Sequence, residues 1–144
     1  MAMMQSLNIT GSALTAERFR MDIILQNLAN ISTTRTASGE PYRRKQVIFE
    51  ERGLDFKSAL ADENYKLKNG GVRAAQVVES DRDFTPVYDP DNPEANEEGY
   101  VMYPNVNRTE EQIDLMAATR AYEANLTALA TIKATINKAL EMGK

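Results

Sequence analysis

The sequence predicts an α+β protein in which long N- and C-terminal amphipathic helices pair as an antiparallel, coiled-coil-like unit around a small β-rich middle. Apolar residues recur at heptad spacing near both ends. All five prolines and five of the seven glycines lie within residues 33–104, together with short runs that favour strands. We therefore expect an N-terminal helix at 1–32 and a C-terminal helix at 105–144, which together form one helical core domain. A β-rich middle domain at 33–104 separates them.

A stripe of apolar residues along one helix face predicts the N-terminal helix. Most of its members are spaced seven residues apart, and the others each follow one of these by three positions. Thr10 and Glu17 are polar residues at positions where the stripe is interrupted. Small residues around Gly11 would allow another backbone to approach closely, although Gly11 weakens an isolated helix by roughly 1 kcal/mol relative to Ala. Asn30 is predicted to end the helix. The stripe consists of Leu7, Leu14, Met21, Ile24, Leu28 and Ile31.

Three strands are predicted in the middle, at residues 42–50, Val72–Glu79 and Tyr100–Tyr103. Each run is rich in β-branched or aromatic residues and is bounded by Gly or Pro. Residues 55–63 predict either a short helix or an insertion, and the turn signal Asn69-Gly70-Gly71 follows them. The middle is therefore expected to be a small β unit.

The C-terminal helix is predicted over residues 109–142, because no helix breaker interrupts that stretch. Thr109 and Gln112 have the spacing of a capping box. Glu110 and Glu111 suit the positive end of the helix dipole. The start of this helix is therefore expected at Thr109.

The apolar stripe of the C-terminal helix is broader than one partner helix would cover. Leu126 and Leu140 lie beside the heptad positions and widen it. Helices of this length are marginal in isolation. The excess width therefore predicts partners beyond the N-terminal helix. The stripe consists of Leu115, Ala118, Tyr122, Leu126, Leu129, Ile132, Ile136, Ala139 and Leu140.

Composition excludes several classes of function. The chain of 144 residues is 42% hydrophobic and 26% charged, which is ordinary for a soluble domain and unlike disordered, collagenous or membrane proteins. It contains no Cys and no His, so thiolate nucleophiles, cysteine zinc sites and histidine bases are impossible. The net charge of −4 is spread thinly and predicts no nucleic-acid surface. The first fourteen residues lack the features of a cleaved signal peptide.

Residues 81–98 contain seven carboxylates and one Arg, which raises the hypothesis of a calcium loop. An EF-hand loop needs a ligand at its fifth position and Gly at its sixth. Counted from Asp89, these positions hold Pro93 and Glu94, so the pattern fails. Residues 89–93 instead predict consecutive turns. We predict no metal and no cofactor.

Two other chemical interpretations are weak. A pair of carboxylates could hydrolyse glycosides, but the chain has no Trp to form a sugar platform and the sequence shows no particular pair. The run Arg43-Arg44-Lys45 could bind phosphate or a membrane, yet glutamates flank it and alternate side chains of a strand face opposite ways. A charged edge strand that discourages unwanted pairing is the better prediction.

Both ends of the chain resemble the bacterial flagellar rod and hook family. Departures from the family pattern include Glu17, where Gln is commoner, bulky residues at Ile24-Leu25-Gln26, and Arg108 in place of an apolar residue. The N-terminal motifs are Leu14-Thr15-Ala16-Glu17-Arg18, Met21-Asp22-Ile23 and Asn27-Leu28-Ala29-Asn30. The C-terminal motifs are Pro104-Asn105-Val106-Asn107, Glu110-Glu111 and Arg120-Ala121-Tyr122-Glu123-Ala124-Asn125.

The middle is similar to the proximal rod proteins of that family. The resemblance covers nearly the whole chain apart from residues 53–70. Its motifs are Thr33-Thr34-Arg35-Thr36, Pro41-Tyr42-Arg43-Arg44-Lys45, Tyr88-Asp89-Pro90 and the run from Pro93-Glu94-Ala95 to Gly99-Tyr100-Val101.

The resemblance implies a structural subunit of the flagellar basal body. Such a subunit is exported unfolded by the flagellar type III apparatus without a cleaved signal. It stacks with copies of itself, with other rod proteins and with the rod-to-ring adaptor, across the periplasm or cell wall. Nucleic acid and small-molecule substrates are not expected. The residues predicted to pack in assembly are Leu7, Leu14, Met21, Ile24, Leu28, Leu115, Tyr122, Leu126, Leu129, Ile132, Ile136 and Leu140.

Two alternatives remain at this point. One is an autonomous helical adaptor that binds a single partner through its terminal hairpin. The other, weaker alternative is a cell-wall hydrolase. An adaptor would stay soluble and fully helical at high concentration, whereas a hydrolase would turn over peptidoglycan.

Overall fold

A computed structural model describes residues 2–52 and 70–143, and the prediction for residues 55–63 lies outside this range. The chain begins with α1 (Ala2–Ala29) and ends with α2 (Arg108–Met142). The middle contains β1 (Lys45–Glu51), β2 (Val72–Glu79), β3 (Thr85–Tyr88) and β4 (Tyr100–Tyr103). The predicted α+β class with paired terminal helices is confirmed. Neither α1 nor α2 combines the length and apolarity needed to cross a bilayer.

Helix α1 ends where the sequence predicts. The Asn30 backbone N–H donates to the Gln26 carbonyl at 3.1 Å, and its side-chain Nδ2 donates to the same oxygen at 2.9 Å. The Thr33 N–H then bonds the Asn30 carbonyl at 3.1 Å and turns the chain away from the helix axis. Asn30 therefore satisfies carbonyl groups that a helix end leaves open.

Hairpin β1–β2 is antiparallel, with Lys45 opposite Glu79 at one end and Glu51 opposite Val72 at the other. Both strands contact α1. At the start of β2 the contact is closest at Gly71, where φ is 145° and a Cβ would lie 2.5 Å from the Ser12 hydroxyl oxygen. Only glycine fits there. The close approach predicted at Gly11 occurs at Gly71 instead, because a Cβ at Gly11 would meet nothing within 4 Å.

The second hairpin, β3–β4, includes a strand that the sequence analysis missed. Thr85 pairs with Tyr103, and Tyr88 pairs with Tyr100. Pro86 argued against a strand because proline cannot donate to a ladder. In a two-stranded sheet each strand is an edge, so the outer side needs no donor. The described middle therefore contains two separate two-stranded sheets.

Turns connect β3 to β4, as predicted for residues 89–93. The Asn92 N–H bonds the Asp89 carbonyl at 3.3 Å, and the Ala95 N–H bonds the Asn92 carbonyl at 3.0 Å. The Gly99 N–H then bonds the Asn96 carbonyl at 2.9 Å. The turn prediction is confirmed.

Helix α2 begins at Arg108, and the predicted capping box of Thr109 and Gln112 is wrong. The cap is Asn107, whose Oδ1 accepts from the backbone N–H groups of Thr109 at 2.9 Å and Glu110 at 3.4 Å. Thr109 lies inside the helix, so its own N–H is one of the groups that the cap satisfies. Glu110 and Glu111 occupy the first turn, as predicted.

Asn107→Ala is expected to lower the free energy of unfolding by about 1 kcal/mol, because two helix N–H groups lose their acceptor. Urea denaturation monitored by circular dichroism measures this loss. Thr109→Ala is the matched control and should have a smaller effect, since Thr109 is not the cap. A larger loss for Thr109→Ala than for Asn107→Ala would contradict the assignment.

The interior combines apolar and polar side chains. Of the three largest side chains with less than 2% exposure, only Val101 is apolar, whereas Asn27 and Glu111 are polar. Buried polar groups need partners, so their positions point to a specific hydrogen-bonded arrangement. The buried polar or charged residues include Thr10, Asn27, Arg44, Asn105 and Glu111.

Candidate assembly surface and buried polar junction

Helices α1 and α2 pack antiparallel. Asn27, near the end of α1, bonds Glu111 near the start of α2, and the Met21 sulfur lies 3.7 Å from the Thr119 hydroxyl farther along the pair. Small side chains occupy buried positions on both helices, since Ala16 is 4% exposed and Ala118 is fully buried. This pairing covers one face of each helix.

The structure divides the twelve predicted assembly residues into three groups. Ile24 is buried. Leu126 and Leu140, which the sequence analysis placed beside the heptad positions, remain 50% and 66% exposed. The other nine are partly buried: Leu7, Leu14, Met21, Leu28, Leu115, Tyr122, Leu129, Ile132 and Ile136. Their role in assembly stays a prediction.

Further large apolar side chains are exposed on both helices, and the sequence analysis did not single them out. Ile113 and Met116 near the start of α2 are 61% and 57% exposed, and Leu25 on α1 is 49% exposed. Single exposed apolar residues are normal, so a role of these positions in an interaction surface is a prediction. Helix pairing within the chain therefore leaves apolar area uncovered.

Glu17 fills a polar gap in the α1 stripe, and its Oε2 is buried without a hydrogen-bond partner among the described residues. An unpaired buried oxygen is destabilising. Glu17→Met is therefore expected to raise the free energy of unfolding by about 1 kcal/mol. Urea denaturation of the full chain tests this, with the exposed Glu123→Met as control. A loss of stability in the Glu17 variant would contradict the prediction.

A buried polar junction joins the end of α1 to the start of β1 and the start of α2. We define it by Asn27, Tyr42, Arg44, Asn105, Glu111 and Asp114. Asn27 is its centre. Its Nδ2 donates to the Lys45 carbonyl at 2.8 Å and to Glu111 Oε2 at 2.9 Å. Its Oδ1 accepts from the Lys45 N–H and from the Tyr42 hydroxyl, each at 2.9 Å.

Arg44 and Glu111 form a buried ion pair within the junction. The Arg44 Nε donates to Glu111 Oε1, and the Arg44 Nη2 donates to Asp114 Oδ2 at 2.7 Å. The Glu111 side chain is 0% exposed, that of Arg44 is 6% exposed and that of Asp114 is 39% exposed. Burial by itself lowers the pKa of Arg44, but the hydrogen bonds and charges of Glu111 and Asp114 outweigh it and raise that pKa. The guanidinium therefore stays charged.

Asn105 attaches the second hairpin to the same junction. Its Oδ1 accepts from the Arg44 backbone N–H at 2.7 Å. Its Nδ2 donates to the carbonyls of Ser80 at 3.2 Å and Arg82 at 2.8 Å. One amide thus holds the segment before β1, the segment after β2 and the segment before α2. Both hairpins are fixed to the helix pair by side-chain hydrogen bonds.

Burial raises the pKa of Tyr42 to about 12, with the charges of Glu111 and Glu79 adding to the effect. Because this pKa is higher in the folded state, the folded protein retains the Tyr42 proton more strongly than the unfolded chain. The resulting contribution to stability is complete below about pH 10 and is lost as the pH rises toward 12. Tyr42→Phe is expected to flatten this alkaline decline, although it lowers stability at neutral pH by removing the bond to Asn27. Urea denaturation between pH 8 and about 11 measures both effects. An unchanged alkaline slope in the variant would contradict the assignment.

The sequence analysis did not predict this junction. It interpreted Arg43-Arg44-Lys45 as a charged edge strand, and that is wrong for the two arginines. Arg43 lies over the Phe84 ring, 4.4 Å from its centroid, and Arg44 is buried. Strand β1 begins only at Lys45, so residues 42–44 of the predicted strand lie before the paired strand. The sequence contained one indication of the junction, because several of its residues fall within the motifs that carry the family resemblance. They include Asn27, Arg44, Asn105 and Glu111.

The acidic loop does not form a metal site among the described residues. No group of three or more carboxylates in that part of the chain could hold a metal ion. Glu94 instead accepts a hydrogen bond from the Thr34 hydroxyl, and the Asn92 Oδ1 accepts from the Glu94 N–H at 3.0 Å. The bond from Thr34 to Glu94 fixes the loop to the chain that follows α1.

Comparison with known proteins decides the family. Over its whole length the chain is 47% identical to the flagellar basal-body rod protein FlgC of Bacillus subtilis (strain 168), which it covers completely. The chain belongs to the FlgC family of flagellar basal-body rod proteins. The FlgC of Salmonella typhimurium (strain LT2) is 38% identical with full coverage of both chains. The FlgC of Borreliella burgdorferi is 38% identical with 97% of each chain covered.

A family model described as the C-terminal part of the flagellar basal body rod proteins FlgEFG also matches residues 97–142. This range contains β4, Asn105, the Asn107 cap and all of α2. The part of this FlgC-family chain that resembles other rod proteins thus includes the helix with exposed apolar residues and half of the polar junction. The predicted family membership is confirmed.

Proposed function

We propose that this chain is a structural subunit of the proximal rod, and that it assembles by helix packing into a helical tube that transmits torque. One observation carries the proposal: apolar side chains remain exposed on α1 and α2 after the two helices have paired, Leu126 and Leu140 among them. Unlike patches joined head to tail generate open helical assemblies, which is the geometry of a rod. The rod-protein names of the relatives support this assignment.

In this proposal the terminal helices at 1–32 and 105–144 form the rod core and the middle domain at 33–104 packs outside them. Helix α2 has 35 residues, so it extends for about 52 Å. A subunit that transmits torque needs a stiff connection between its parts. The polar junction supplies this connection, since Asn27 and Asn105 bond to the hairpin segments while Glu111 bonds to α1.

The proposed partners are copies of the chain, other rod proteins, the rod-to-ring adaptor and the flagellar export apparatus. The proposed location is the rod within the periplasm or cell wall, reached by export without a cleaved signal. We assign no catalytic role, because the chain contains neither His nor Cys. The absence of cysteine also means that no disulfide has to form after export.

Complementation of a bacterium that lacks its own FlgC-family gene tests the proposal. The wild-type chain should restore swimming and be recovered in purified basal bodies. Leu126→Asp places a charge on an exposed apolar position, so the variant should fold and be secreted but should not enter the rod. Thr127→Asp, which places the same charge one residue along the helix, is the matched control.

Two outcomes would contradict the proposal. Normal swimming and basal-body recovery for Leu126→Asp would remove the assembly role of that stripe. A wild-type chain that stays soluble and never associates with basal bodies would favour the adaptor alternative. Secretion is measured separately in the culture medium, so an export defect is distinguishable from an assembly defect.

A further inference from the structure

The outer face of hairpin β3–β4 is apolar and exposed. Because the register pairs Pro86 with Met102 and Tyr88 with Tyr100, these four side chains share one face. Tyr88, Tyr100 and Met102 are 65%, 39% and 43% exposed. The opposite face contains Val101, which is 1% exposed. We call Pro86, Tyr88, Tyr100 and Met102 the hairpin face.

The hairpin face has a fixed shape. The rings of Tyr88 and Tyr100 meet edge to face, with centroids 5.3 Å apart. Gly99 adopts a φ of 81°, and a Cβ there would lie 2.9 Å from the Tyr88 ring. Glycine therefore lets the Tyr88 ring approach the turn closely. Ordered aromatic side chains lose little entropy on binding, which suits them to an interface.

No helix of the described chain covers this face. Strands β3 and β4 contact each other but neither α1 nor α2 as elements. The hairpin lies beside the segment 30–42, where Glu94 bonds Thr34. Four residues, 104–107, separate β4 from α2, which places the hairpin near the start of that helix.

A complementary surface exists at the other end of the same chain. The connection 89–99 beside the hairpin face contains five acidic residues and no basic residue. In the distal half of α2, residues 124–140 contain two exposed lysines, Lys133 and Lys138, and no acidic residue, and Glu141 follows them. Exposed Leu126 and Leu140 lie on the same side of the helix as Lys133, at spacings of seven. The two surfaces thus match in charge and in apolar character.

We propose that the hairpin face of one copy docks on the distal half of α2 of a second copy. Residues 126 and 140 lie about 27 and 48 Å along α2 from its start, so the matching surfaces are at opposite ends of one chain. They can meet only between copies. Such a contact is head to tail and leaves each end open for another copy. This inference rests on the proposed rod function and names one of its contacts.

Charge reversal on the purified full chain tests the contact. Lys133→Glu/Lys138→Glu makes the helix end acidic, and Glu97→Lys/Glu98→Lys makes the hairpin end basic. All four positions are exposed, so folding should be unchanged. Each variant alone is expected to self-associate about tenfold more weakly than wild type in sedimentation velocity at low salt. Arg18→Glu/Arg120→Glu is the control for the lysine variant, because it changes the net charge by the same amount in the same direction.

A mixture of the two variants provides the decisive result. The acidic helix end of one variant matches the basic hairpin of the other, and the two unaltered ends still match. The equimolar mixture should therefore recover wild-type association, with the copies alternating. Wild-type association by either variant alone, or no recovery in the mixture, would overturn the proposal. No association of the wild-type chain would also overturn it.

Cysteine cross-linking tests the same contact in the assembled state. The wild-type chain contains no cysteine, so Glu98→Cys and Lys133→Cys introduce the only thiols. Basal bodies containing both single variants should give a disulfide-linked dimer on mild oxidation, and Glu98→Cys with Arg18→Cys should not. Complementation by these chains without a Glu98–Lys133 cross-link would overturn the docking contact while leaving the rod function intact. Failure of complementation would count against the rod function, and the solution mixture would still decide the contact.

Discussion

Glu111→Ala is expected to lower the free energy of unfolding by about 3 to 5 kcal/mol. The side chain is fully buried and accepts hydrogen bonds from Arg44 and from Asn27. Its removal leaves the buried guanidinium with only the partly exposed Asp114 and leaves the Asn27 Nδ2 with one acceptor instead of two. Urea denaturation of the full chain measures the loss.

The neighbouring Glu110 is a matched control for this prediction. Glu110 bonds Arg82 at 2.8 Å, but both side chains are largely solvated. Glu110→Ala should therefore change stability by less than about 1 kcal/mol. The double variant Arg44→Met/Glu111→Leu should recover much of the loss, because apolar pairs often replace buried ion pairs without penalty. Equal effects of Glu110→Ala and Glu111→Ala would show that the buried pair contributes nothing specific.

Asn27→Asp is the second substitution with a large expected effect, although it changes a single group. The amide Nδ2, which donates to the Lys45 carbonyl and to Glu111, becomes an oxygen that faces two acceptors at 2.8 and 2.9 Å. At neutral pH the new carboxylate also lies beside the Glu111 carboxylate. We expect a loss of about 3 to 5 kcal/mol in the free energy of unfolding.

The loss should depend on pH in a defined direction. Like charge and burial raise the pKa of the introduced carboxyl above its unfolded value of about 3.9. A raised folded-state pKa means that stability is higher below the unfolded pKa and is lost as the pH rises through the folded pKa. The difference from wild type should therefore shrink as the pH falls toward 4. Asn8→Asp, at an exposed position on α1, is the control, and an equal, pH-independent loss in both variants would contradict the prediction.

The parts of the fold that were predictable are those set by local patterns. Helix α1 ends at Ala29, just before the predicted stop Asn30, and α2 follows its heptad stripe, because both patterns depend on residues a few positions apart. Strands β2 and β4 match their predicted ranges for the same reason. Strand β3 was missed because Pro86 is a poor strand residue except at an edge, and edges are a property of the assembled sheet.

The polar junction could not be predicted from local patterns. Glu111 lies 84 residues from Asn27 and 67 from Arg44, and Asn105 lies 61 residues from Arg44. Periodicity contains no information about which polar side chains meet over such separations. A buried arginine also looks like a surface arginine in sequence. The exposed members of the α2 stripe, by contrast, were visible as excess apolar width.

The long separations within the polar junction also set the order in which the chain can fold. Asn27 has its full set of partners only when residues 42, 45 and 111 are all present, so the end of α1 cannot be anchored early. Closing loops of this length is slow compared with forming a helix turn. A chain that emerges gradually from a narrow channel would keep its two ends apart until nearly all of it has passed. In the proposed export route, the hydrogen bonds of the polar junction would therefore form only after the chain has left the channel.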